Sequence, residues 1–179
     1  MTGSYIRIDG SVYWLWALFL LVLPFPWVAA AFTAALVHEL FHVCMIRICG
    51  RKVDSIKVGP FGAALETYGM MPGEEFLCAL AGPAGSFLLL LLGRWLPRLA
   101  VCGLVQGLFN LLPVYPLDGG RALRYVLQWL IPDHSETAEK IVTAAAVMIT
   151  FLISVFFLRE LLIVSGILLI RSGILRKRP

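Results

Sequence analysis

His38-Glu39-Leu40-Phe41-His42 places two imidazoles and a carboxylate within five residues. On a helix, histidines at i and i+4 share a face one turn apart, so their rings can converge on one cation. A glutamate directly after the first histidine is placed to take a proton from a water that the cation activates. Zinc suits such donors, and it lowers the pKa of a bound water to about 7, which supplies a nucleophile near neutral pH. The chemistry this points to is hydrolysis.

A catalytic zinc takes three protein donors. His134, the remaining histidine, lies in a polar connector, and Glu66 lies in an irregular stretch. Asp118 is the better candidate. It sits in Asn110-Leu111-Leu112-Pro113-Val114-Tyr115-Pro116-Leu117-Asp118-Gly119-Gly120-Arg121, where two prolines and two glycines prevent a continuous helix. Unwound backbone at membrane depth is tolerated where it is buried in protein or lines a cavity, and an acid there can turn toward a metal. Capping of a helix that begins near Gly120 is the alternative role for Asp118.

The elements that must carry these residues are membrane spans. Apolar residues make up 60% of the 179-residue chain and charged residues 15%, against roughly 45–50% and 25% in soluble domains. Mean hydropathy is +0.87. A span needs about 20 apolar residues. Candidate spans cover 12–23, 27–48, 74–92, 99–112 resuming at 122–130, 141–158, and 161–170 with an extension to 175. This predicts a polytopic all-α bundle of about six transmembrane helices. Between the second and third, residues 51–73 mix β-formers with Gly and Pro and predict a small membrane-associated β segment. The first run lacks a small-residue cleavage site and reads as a span rather than a signal peptide. The chain reads as one domain over 1–179, with no room for a PDZ or CBS insertion.

A net charge of +4 raises nucleic acid as a partner, but the basic residues flank apolar runs, which is the pattern that orients membrane proteins. With six spans and both termini cytoplasmic, only Arg94, Arg98 and Arg159 of the 15 Lys and Arg residues fall outside. His42 then lies close to the basic flank of Arg47, Arg51, Lys52 and Lys57, on the cytoplasmic side. The cysteines form no CxxC pair and read as free thiols. An ionisable residue inside a span costs about 2.5–3.5 kcal/mol on insertion scales and marks function. Three of them within five positions of one span are hard to account for as packing.

His38-Glu39-x-x-His42 in an early span, followed by Asn110-Leu-Leu-Pro-x-x-Pro-Leu-Asp118-Gly-Gly, resembles the site-two protease family of intramembrane zinc metalloproteases, with the sporulation-type bacterial members as the closest subgroup. The likeness runs over residues 34–123. It implies zinc on His38, His42 and Asp118, with Glu39 catalytic. It also implies a bacterial cell-membrane location and a membrane-associated protein substrate, such as a sigma-factor precursor. Asn110 matches an asparagine near the family's active site. Its amide is a candidate oxyanion donor, with an interhelical hydrogen bond as the alternative. Val58-Gly59-Pro60-Phe61-Gly62 resembles the family's edge strand, where Gly62 would help hold extended substrate, and a simple turn is the alternative.

Two departures stand out. Phe41 replaces a common glycine before the second histidine and should affect packing, not ligation. Ser86, after Gly82-Pro83, stands where asparagine is common. With no appended module, regulation would come from other membrane proteins. The rival readings are a metal transporter, an inactive protease-like scaffold and a metalloprotease of the prenyl-protein class.

Overall fold

The computed structural model describes residues 5–59 and 62–171. Its elements are β1 (Tyr5–Ile8), α1 (Ser11–Val22), α2 (Phe25–Ile48), β2 (Ser55–Gly59), β3 (Gly62–Glu66), α3 (Pro72–Leu88), α4 (Pro97–Asn110), α5 (Asp118–Leu130) and α6 (Ser135–Arg171). Short 3-10 turns at Leu89–Leu92 and Pro132–His134 extend α3 and precede α6. The fold is mostly helical with one small sheet.

Proline and glycine set the boundaries that matter for the site. Pro24 and Pro26 separate α1 from α2, because a proline supplies no backbone N–H and tolerates only the first turn of a helix. At its far end α2 stops at Gly50, whose φ of 71° closes a Schellman turn. There Arg51 N–H donates to the Ile46 carbonyl and Gly50 N–H to that of Arg47, each at 3.0 Å. The Arg51 side chain, just past the end of α2, reaches Glu74 in the first turn of α3 at 3.0 Å and so ties the two helix ends together.

The sheet has the order β1-β2-β3, with β1 parallel to β2 and β3 antiparallel to it. The antiparallel pair β2-β3 lies where residues 51–73 predict it, though Pro60 and Phe61 fall outside the described residues. The third strand, β1, is not anticipated. A four-residue strand shows no usable alternation, and its partner Ser55–Gly59 is distant in sequence.

Among the described residues, three helical segments are long and apolar enough to cross a membrane: Phe25–Ile48, Pro72–Leu92 and Pro132–Arg159. α3 is the central one and packs on α2, α4 and α5. Small residues permit this: Ala79, Ala81, Gly82, Gly85 and Ser86 are all buried, and such residues let helix backbones approach closely in a bilayer. By contrast, α1 and α6 present exposed apolar side chains such as Trp14, Leu21, Phe151 and Phe157, as lipid-facing helices do.

The six-span expectation changes in three places, the first being α1, whose 12 residues are too few to cross a bilayer alone. The proposed fourth span is two separate helices, α4 and α5, of 14 and 13 residues; each is shorter than a bilayer requires. α5 begins at Asp118 rather than Ala122. The proposed fifth and sixth spans are one continuous helix through Arg159-Glu160. Arg and Glu are good helix formers, and no glycine or proline interrupts 135–165. Arg159 also lies over the Phe156 ring on its own helix, at 5.3 Å. The charge pair is thus compatible with helix and makes no loop. The extension to residue 175 lies partly outside the described residues.

Candidate metal centre

α2, α3 and the N-terminus of α5 meet around three buried side chains, His38, His42 and Asp118. The His38 and His42 rings project from one face of α2 with centroids 4.8 Å apart. Asp118 Oδ2 lies 3.0 Å from His38 Nε2 and 3.2 Å from His42 Nε2, and the two Nε2 atoms are 3.2 Å apart. Asp118 opens α5 just after its N-cap, Leu117, and its carboxylate is turned to the histidines. Gly119 and Gly120 make that position reachable. A Cβ on Gly119 would lie 2.1 Å from the Leu111 carbonyl oxygen, and one on Gly120 would lie 2.4 Å from the carbonyl carbon of Val114. The first turn of α5 therefore rests directly on the backbone that precedes it.

The donor chemistry fits a cation. His42 Nδ1 faces the Cys78 carbonyl at 2.7 Å. A carbonyl only accepts, so Nδ1 carries the proton, and a neutral ring then offers the Nε2 lone pair. That lone pair faces the Asp118 carboxylate, another electron-pair donor. A cation between them resolves the conflict. Zinc bonds of about 2.0–2.2 Å in tetrahedral geometry imply donor separations of roughly 3.4 Å, close to those observed. His38, His42 and Asp118 would hold such an ion.

α3 supplies the wall behind the ligands. A Cβ on Gly82 would lie 2.2 Å from His42 Nε2 and 2.7 Å from His38 Nε2. Gly85 gives similar room to Phe41, whose Cγ would be 2.4 Å from an added Cβ. Phe41 therefore packs against α3, away from the ligand atoms. The Ser86 hydroxyl lies 2.8 Å from His38 Nδ1. Sequence reasoning passes over these contacts, since glycine and serine carry little chemistry of their own. The available signal is the i, i+4, i+8 spacing of Cys78, Gly82 and Ser86 on one helical face.

A cavity of about 380 Å³ opens on the three ligands, and Glu39, Thr67 and Asn110 also line it. Asn110 ends α4, and its amide donates to the Gln106 carbonyl of the same helix at 3.1 Å. The Thr67 hydroxyl is buried with no hydrogen-bond partner among the described residues. Gly62 opens β3 opposite Gly59, and the far end of that strand, Leu65 and Glu66, reaches the cavity. Lys57 and then Ser55 hydrogen-bond the Glu66 carboxylate and hold its pKa below the usual value. Tyr115 and Pro116 form another wall. Arg124 braces it by lying 4.6 Å from the centre of the Tyr115 ring while pairing with Glu139 of α6 at 2.9 Å. His134 lies in an exposed 3-10 turn, apart from this cluster.

Residues 91–154, which include Asn110 and Asp118, match the family model "Peptidase family M50". The chain is 35% identical over 128 residues to a Synechocystis protein named as a putative zinc metalloprotease, covering 59% of this chain and 34% of that one. It is 29% identical over 133 residues to a zinc metalloprotease of Methanocaldococcus jannaschii, covering 66% and 36% respectively. The chain thus spans about a third of the length of these curated relatives. Its fold is similar to that of the site-2 protease from Methanocaldococcus jannaschii, with a TM-score of 0.64 and 24% identity over 93% of this chain and 88% of that one. The family model thus covers about a third of this chain, the curated relatives are named as zinc metalloproteases, and the solved structure bears on the fold alone. They do not reach the sporulation-type subgroup.

Proposed function

We propose that this chain is an intramembrane zinc metalloprotease that hydrolyses a peptide bond in or near the transmembrane segment of a membrane-associated protein. The observation that carries the reading is the convergence of His38 Nε2, His42 Nε2 and Asp118 Oδ2 on one point, in the same cavity as Glu39. A metal transporter would be expected to spread such donors along a path, whereas these three meet.

Zinc bound there supplies a Lewis acid for water and for the scissile carbonyl. Glu39 takes the proton of the attacking water and passes it to the departing amine as the C–N bond breaks. A helical substrate hides its amides in i to i−4 hydrogen bonds, so it must unwind before attack. β3 is one of the two edge strands of the sheet as described, and its end lines the cavity. Pairing with β3 favours an extended substrate, with Gly62 allowing the chain to lie close. Thr67 and Asn110 are candidate donors to the substrate backbone, and Asn110 retains a second amide hydrogen for a developing oxyanion.

The basic flank from Arg47, in the last turn of the ligand helix, to Lys57 beyond it supports an active site toward the cytoplasmic side of a bacterial cell membrane. The sequence likeness to sporulation-type members favours a membrane-tethered regulator, such as a sigma-factor precursor, as substrate. It likewise favours other membrane proteins as regulators. The test is cleavage of membrane-tethered candidate proteins by detergent-purified enzyme. A strong chelator should abolish cleavage and added zinc should restore it; cleavage that persists in chelator defeats the proposal.

A further inference from the structure

We propose that Ser86 is a positioning residue which fixes His38 as an Nε2 ligand by accepting a hydrogen bond from its Nδ1–H. This rests on the zinc reading above and deepens it. Nε2 of His38 points at the Asp118 carboxylate, 3.0 Å away, while Nδ1 points at the Ser86 hydroxyl, 2.8 Å away. When Nε2 gives its lone pair to a metal, the ring of a neutral histidine carries its proton on Nδ1. That proton then needs an acceptor, and Ser86 Oγ is the one in place.

The choice of serine has a chemical reason. A hydroxyl both donates and accepts, whereas a carbonyl only accepts. Before metal binds, Nε2–H of His38 can donate to Asp118, and the Ser86 O–H can donate to Nδ1. In the metal-binding tautomer the ring's one proton lies on Nδ1 instead, and the same hydroxyl turns to accept. His42, held by the Cys78 carbonyl, keeps one tautomer throughout. The two ligands therefore differ: one is fixed, and the other follows the metal.

Ser86 is well placed to hold this position. It is completely buried, and α4 packs on its far side. A Cβ on Gly103 would lie 2.6 Å from the Ser86 carbonyl oxygen, so the backbone there has little room to retreat. Cys78 and Ser86 lie eight residues apart on α3, with Gly82 between them opening space for the two rings. One helical face thus serves both ligands.

Zinc affinity of the purified full chain tests the assignment by competition with a chelator of known affinity. Outer-shell partners of metal-binding histidines are generally worth 10–100-fold in affinity. Ser86→Ala should weaken zinc binding by that factor, measured on variant protein shown to be folded by a thermal melt without zinc. A loss below tenfold overturns the proposal. Nitrogen NMR of the unmodified protein gives an independent readout. The His38 proton should sit on Nδ1 when zinc is bound; finding it on Nε2 also overturns the assignment. Failure of the unmodified protein to bind zinc at all would instead defeat the protease reading itself, so the two failures are distinguishable.

Discussion

Glu39→Gln should retain zinc and lose cleavage by about 10²–10⁴-fold, the usual contribution of a positioned general acid–base. Glutamine keeps the size and polarity of glutamate but cannot accept the proton of the attacking water. Glu39 lies outside the three-donor cluster, although it lines the same cavity, so the metal should remain. Measuring bound zinc and cleavage on one preparation separates the two effects. Substantial cleavage by this variant would remove Glu39 from the proton path, and loss of zinc would make it a ligand or a structural support instead.

Gly82→Ala should abolish high-affinity zinc binding, although it removes no donor. The added methyl would stand 2.2 Å from His42 Nε2 and 2.7 Å from His38 Nε2. Those are the atoms that would bond the metal, and their rings must move aside to admit it. Overpacking of this kind costs typically 1–3 kcal/mol of stability. The functional loss should be larger, because ligand nitrogens displaced by a few tenths of an ångström no longer meet at one point. The expected affinity loss is at least the 10–100-fold that follows removal of an outer-shell partner. Zinc titration of Gly82→Ala beside the parent protein checks it, and near-normal affinity would mean that α3 yields more readily than its contacts imply.

These two residues also show what a sequence makes legible. His38, Glu39, His42 and Asp118 are conspicuous because ionisable groups are costly in apolar spans. The prolines and glycines around Asp118 likewise announce unwound backbone. Gly82 and Ser86 stand out only through the family resemblance, and nothing in their chemistry or spacing tells what they touch. Small residues in an apolar helix fit close packing anywhere, and their role appears only when α2 is seen against α3. The hairpin is readable from its β-formers and turn residues, but β1 is not, since its meaning lies in parallel pairing with a remote segment. Arg159-Glu160 misleads for a different reason. A charge pair is a sound boundary signal in water-facing chains, yet both residues favour helix, and α6 runs on through them.

If His38, His42 and Asp118 make one zinc site, as proposed, the metal content of the purified chain will show it, with Asp118→Ala alongside. One zinc per parent chain is expected, and little or none in the variant. Absence of zinc from the parent protein, or full retention without Asp118, would contradict it.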